Sequence, residues 1–233
     1  MMNTSWLKLL SFLTLHQIRY EFQQRERLLS LLLLAVNLLL LSWFAFGETN
    51  PDTVHAIVVA QIFTTAFIAM QLAFVRIFEP EEEDRAFDLL MTSPLPAPVW
   101  YLSKVMTSSL MGLLVVYPVL VLSAMVNQSV SPRLLSGEIF IFVAFVLNTL
   151  SAIGVLLSAL ILRANARQIL YPLLYFPLTV PVLLSGVQVL LNVLQHGLSM
   201  QEQMSSWLGL LLVFNLMYFG FGLLFYGDLL KSN

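Results

Sequence analysis

Between Glu79 and Asp88 the chain carries six acids, Glu79, Glu81, Glu82, Glu83, Asp84 and Asp88, against one base, Arg85, a local charge of −5. For hydrolysis within a membrane, adjacent carboxylates such as Glu81 and Glu82 would need activating or metal-binding histidines beside them. The three histidines stand elsewhere, at His16, His55 and His196. His55 and His196 fall near the ends of two apolar runs, on the side away from the acids. There they could approach one another and hold haem iron or another metal through imidazole nitrogen; the plainer reading is a pair of solvated interfacial side chains. The absence of cysteine removes thiolate nucleophiles, disulfides and sulfur-ligated metals or clusters. No Gly-x-x-x-x-Gly-Lys-Ser/Thr stretch occurs, so the usual cradle for ATP phosphates is lacking. The acidic cluster is thus read as a recognition element, with no catalytic residue, metal ligand or cofactor-binding residue assigned.

What must position the cluster is a chain that is 59% hydrophobic and only 10% charged. Soluble domains carry about 25% charged residues, so there is too little polar surface here to coat a water-facing globule. The net charge of −2 gives no case for nucleic acid. Crossing about 30 Å of hydrocarbon takes roughly 20 apolar residues in a helix. Six runs qualify: Leu28 to Phe46, Val54 to Phe78, Tyr101 to Val126, Glu138 to Leu162, Leu170 to Leu194 and Trp207 to Gly227. None alternates as a barrel strand does, so the expected fold is an all-α polytopic membrane protein with six transmembrane helices in one permease domain, residues 1–233. The first run follows a charged stretch, and Phe44-Ala45-Phe46 is no cleavage site, so it is read as a retained span.

Ten of the eleven basic residues fall on the side that holds the N-terminus: Lys8, Arg19, Arg25, Arg27, Arg76, Arg85, Lys104, Arg163, Arg167 and Lys231. Arg133 alone falls on the other, which places both termini and the acidic loop in the cytoplasm. Residues 1–27 form a lead-in in which Trp6, Leu9, Leu10 and Leu13 interleave with Lys8, Ser11, His16 and Arg19. That pattern suggests an interfacial helix along the inner surface; a solvated basic segment is the alternative.

The loop over residues 79–98 reads as a short amphipathic helix outside the bilayer. Pro80 suits a first helical position, and acids in the first turn are favoured by the positive end of the helix dipole. Phe87, Leu90 and Met91 share one side, and the prolines at 94, 96 and 98 end the helix. Apolar knobs between flanking charges are what a coupling helix presents to a cytoplasmic partner. The candidate contact residues are Phe78, Glu82, Asp84, Arg85, Phe87 and Leu90. The alternative is a solvated loop whose Phe87 and Leu90 rest on lipid.

The order Arg76-Ile77-Phe78, acidic run, Phe87-Asp88-Leu89-Leu90, Ser93-Pro94-Leu95-Pro96 and Tyr101-Leu102-Ser103-Lys104 resembles the loop of the CcmB family, or haem exporter protein B. A second stretch, Phe176-Pro177-Leu178-Thr179-Val180-Pro181-Val182-Leu183-Leu184, is similar to that family's proline-containing span. Ala86 stands where the family often has glycine. The resemblance implies a type-2-like ABC permease subunit of the bacterial inner membrane that acts in cytochrome c biogenesis. Its implied partners are a separate CcmA-like ATPase, CcmC-like and CcmD-like membrane proteins and the haem chaperone CcmE, with haem as handled substrate. Two other readings remain. One is a type-2 exporter of polysaccharide or drug, which genomic neighbours would separate. The other is a membrane-embedded enzyme, since Glu81-Glu82 with Arg85 is similar to the acidic motif of intramembrane CAAX-type proteases.

Within the spans, Asn148, Thr149, Ser151 and Ser158 mark one side of the fourth, and Gly154-x-x-x-Ser158 suits close helix packing. Lys104 lies near an inner end, where its stem could carry the charge to the headgroups. Pro172, Pro177 and Pro181 interrupt the fifth span's hydrogen-bond ladder and predict a kink, either static or flexing in a cycle.

Overall fold

The computed structural model describes residues 3–46, 51–75, 77–78, 95–126, 131–162, 164, 166–204 and 206–232. Among these residues all regular structure is helical: α1 (Asn3–Gln23), α2 (Arg25–Phe46), α3 (Pro51–Val75), α4 (Ala97–Val126), α5 (Ser131–Leu134), α6 (Gly137–Leu160), α7 (Arg167–Leu191) and α8 (Trp207–Ser232). A single π turn, Asn192–His196, extends α7. Five helices are long and apolar enough to span: Thr53–Phe74, Ala97–Val126, Gly137–Leu160, Arg167–His196 and Trp207–Leu230. The expected first span forms α2, but its apolar stretch, Leu29–Ala45, is shorter. At 1.5 Å per residue that stretch covers about 26 Å.

One boundary differs from expectation, with a local cause. Helix α4 starts at Ala97, inside the expected loop, because the backbone amides of Val99 and Trp100 turn onto the Pro96 carbonyl at 2.9 and 3.2 Å. Pro98 sits in the first helical turn, where its missing amide costs nothing. Helix α7 runs unbroken through Pro172, Pro177 and Pro181. Its hydroxyls bind backbone within the helix: Thr179 donates to Tyr175 O at 2.9 Å and Ser185 to Pro181 O at 2.7 Å.

Helix α6 is central, with 67% of its spanning stretch buried against 17% for α8, and it touches α3, α4, α7 and α8. In lipid there is little hydrophobic drive between helices, so association rests on close packing and interhelical hydrogen bonds. The α3 side chains Phe63, Met70 and Phe74 fill the space over Gly186 of α7, Gly112 of α4 and Gly154 of α6. Ser158 Oγ reaches Phe74 O at 2.9 Å as well as its own helix at Gly154 O, 2.8 Å. The small-residue pair read from the sequence is therefore a packing site against α3. Thr149, on the other flank, accepts from Asn215 Nδ2 of α8 at 2.7 Å. Between α3 and α7 the rings of Phe67, Phe74, Tyr171 and Tyr175 form a buried column with centroids 5.2 to 6.3 Å apart.

The expected N-terminal helix is present as α1, and it lies against α4 through a polar seam. Gln17 donates to Ser103 Oγ at 3.4 Å and accepts from Thr107 Oγ1 at 3.1 Å. Leu9, Leu10 and Leu13 are half-buried, whereas Trp6, Leu7, Phe12 and Leu15 are exposed among Lys8, Ser11 and Arg19.

At the end of the bundle away from the termini, Arg133 donates to Val193 O and Leu194 O at 3.3 and 3.4 Å, meeting the negative end of α7 and its π turn. Gly197 follows at φ 66°, the left-handed conformation that favours glycine, with the guanidinium close beside it. Ser199 and Glu202 then form a capping box: the Ser199 amide and hydroxyl donate to Glu202 Oε2 at 2.7 and 2.9 Å. These bonds hold the exposed Glu202 carboxyl below its usual range, so their contribution is present above the ordinary carboxylate pKa and lost as pH falls through the lowered value.

Candidate functional site

The acidic loop leaves the bundle from the C-terminal end of α3 and returns at the start of α4. Of the six candidate contact residues only Phe78 is described; Glu82, Asp84, Arg85, Phe87 and Leu90 lie outside the described residues, as does the expected helix they would form. What the structure places is the root of the loop, from which the geometry of both its feet can be read.

The outgoing foot ends on the carbonyls at and just past the C-terminal end of α3, which closes at Val75. Such terminal carbonyls need outside donors, above all away from water. Ser158 supplies one to Phe74 O, which also accepts from the Ile77 amide at 3.3 Å, and Lys104 supplies one to Ile77 O, its Nζ 2.8 Å away. A cation at the negative end of a helix is favoured electrostatically as well. The lysine is 4% exposed, and its ammonium also lies 5.2 Å from the centroid of the Phe78 ring. This corrects the expectation that Lys104 reaches toward the headgroups: its ammonium turns inward, onto the carbonyl of Ile77 just past α3.

Phe78 likewise points into the bundle, at 1% exposure. Its ring meets Trp100 edge-on at 6.3 Å, and Trp100 meets Tyr226 of α8 edge-on at 6.0 Å. Edge-to-face pairs at such spacing add to the burial of the rings themselves. Phe78 is thus packed inside the bundle at the outgoing foot of the loop.

The returning foot is held by Tyr101, which is fully buried. Its ring lies 5.3 Å from Tyr226 and 6.3 Å from Phe219. Its single hydroxyl proton is shared between Ala152 O of α6 at 3.3 Å and Tyr218 O of α8 at 3.4 Å. Gly222 makes this possible, since a Cβ there would overlap the phenol. The first turns of α4 therefore tie the loop to both the central helix and the last one. Tyr101→Phe is expected to cost about 1 kcal/mol, because both carbonyls are long-distance acceptors with other bonds in their own helices. Thermal unfolding of the purified chain checks this, and a loss above roughly 3 kcal/mol would mean that the hydroxyl carries a buried network instead.

The two histidines read from the sequence lie near the start of α3 and at the end of the π turn. His55 is half-buried with Nδ1 enclosed and lacking a hydrogen-bond partner, and His196 is exposed at the end of the π turn. The described residues contain no group of three or more His, Cys, Asp or Glu side chains placed to hold a metal.

Residues 8–222, nearly the whole chain, match the family described as CcmB protein. The chain belongs to the CcmB family. No curated protein matches it. Membership makes it a membrane permease component of an ABC transporter for haem export, a role that leaves ATP hydrolysis to a partner and fits a bundle of spanning helices. The match takes in both ends of the loop, so the CcmB-family region includes Phe78, Trp100, Tyr101 and Lys104. Sequence reasoning missed Trp100, Tyr226 and Gly222. Trp100 directly precedes the Tyr101–Lys104 motif, and that proximity was the available signal; Tyr226 and Gly222 had none, being one aromatic and one glycine in a span that contains several of each.

Proposed function

We propose that this chain is the permease subunit of an ATP-driven complex for cytochrome c biogenesis in the bacterial cytoplasmic membrane, with both termini and the acidic loop in the cytoplasm. A CcmA-like ATPase docks on the loop through Glu82, Asp84, Arg85, Phe87 and Leu90, with Phe78 as the buried anchor. CcmC-like and CcmD-like proteins are its membrane partners, and the work done is release of a haem-loaded CcmE-like chaperone, with haem as the handled substrate. The whole chain acts as one membrane domain.

The observation that carries this reading is that both feet of the loop are locked into the bundle, by Lys104 and Phe78 on one side and by Trp100 and Tyr101 on the other. A loop that merely rested on lipid would gain nothing from a buried cation and four packed rings at its root. A loop that receives force would need them, since motion passes only through contiguous packed elements. Purifying the chain from its native membrane and identifying what accompanies it tests the assignment. A nucleotide-hydrolysing subunit together with cytochrome c maturation proteins is the expected result, and a fully active chain with no such subunit would refute it. Orientation is tested separately. Reporter fusions after Ser93 and after Asn127 are expected to read cytoplasm and exterior respectively, and the reverse pattern would invert the topology.

A further inference from the structure

Lys104 is the one lysine within the spanning stretches, and it is buried at the root of the loop. A charge taken out of water costs several kcal/mol, and even a paired one is often matched by an apolar side chain of the same volume. What lysine adds is a set of donors on a flexible stem. One of these goes to Ile77 O, at the point where the chain leaves α3 for the loop. The same residue stands one turn after Trp100 and Tyr101, whose rings and hydroxyl contact α8 and α6.

We propose that Lys104 is a positioning residue that fastens the departing end of α3 to α4, so that movement of the loop is delivered to α4 and α8 instead of opening the turn that follows α3. The proposal rests on the reading of the loop as the ATPase docking element. Without the ammonium, the carbonyl of Ile77 loses this donor and the turn that follows α3 is no longer fastened to α4, so it can open under load. The ATPase then stays bound, but its strokes are absorbed at the root. Arginine keeps the charge and the donors; methionine keeps only the bulk.

The test uses the complex of this chain with its ATPase, reconstituted in vesicles of phosphatidylethanolamine and phosphatidylglycerol. Lys104→Met is expected to retain the ATPase and an unfolding midpoint close to the parent's, while the permease-dependent rate of ATP hydrolysis falls about tenfold or more; Lys104→Arg is expected to restore most of it. A merely structural role would lower the midpoint and the yield together and would leave the surviving complexes coupled. The unaltered complex gives a second measurement that needs no variant. Of the three lysines, Lys8 is exposed, and a membrane-impermeant amine reagent is expected to modify it while sparing Lys104. Lys104 reacting as fast as Lys8 would overturn the proposal, and so would parental coupling in Lys104→Met. If Phe87→Asp releases the ATPase while Lys104→Met stays coupled, the role of Lys104 alone fails. If Phe87→Asp leaves the ATPase bound and coupled, the docking element fails and the role of Lys104 with it.

Discussion

Phe87→Asp is expected to strip the ATPase from the purified complex while the permease still inserts and folds. Aromatic anchors at the centre of an interface commonly carry 2 kcal/mol or more, a loss of roughly 30-fold or greater in affinity. Replacing the ring by a carboxylate adds a desolvation penalty on a face meant to be dry. The reason to expect intact insertion is the architecture of the root. Phe78 and Lys104 hold the outgoing foot and Trp100 and Tyr101 the returning one, through contacts that do not involve residue 87. Affinity purification of the permease with quantification of the bound ATPase reads out the effect, and retention at the parental ratio would count against the contact.

The second large effect is expected from Gly154→Leu. Helix α6 is the hub of the bundle, and a Cβ at this position would overlap the Phe74 ring. That ring cannot retreat, because Tyr171 and Tyr175 lie 6.3 and 5.9 Å away on its far side. Forcing α3 outward would also stretch the Ser158 bond to Phe74 O. Overpacking a dense core typically costs 1–3 kcal/mol, and with the hydrogen bond added the expected loss is about 3 kcal/mol or more. Gly220 of α8 is the control, since a side chain there would meet open space. Heating detergent-solubilised protein and following the monodisperse fraction compares Gly154→Leu with Gly220→Leu. Equal survival of the two would show that the close approach of α3 and α6 is not as described.

Much of the architecture was readable in advance because the bilayer constrains it so tightly. Apolar runs of spanning length have to be helices, and five of the six expected spans formed helices long and apolar enough to cross. Gly154 and Ser158 announced a packing face, since small residues in such helices have few other uses. The side-by-side arrangement was less legible. Helices that are apolar all round carry little periodic record of which face is inside, so the pairing of Tyr101 with Gly222 and of Met70 with Gly112 left no trace in the pattern. Polar residues misled for a related reason. A lysine near a helix end reads the same whether it snorkels outward or caps a neighbour inward, and only the position of α3 decides for Lys104. Phe78 looked like one more contact residue beside an acidic run, yet it is packed inside the bundle against Trp100. The polar seam of Gln17 with Ser103 and Thr107 was hidden because its members lie 86 and 90 positions apart.

Arg133 reaches back to carbonyls made 60 and 61 residues later. Synthesis proceeds from the N-terminus, so during biogenesis this side chain must wait until α7 has been made to meet it. The clasp can close only when α7 and its π turn have arrived in register, so it joins an early-made part of the chain to a late-made one.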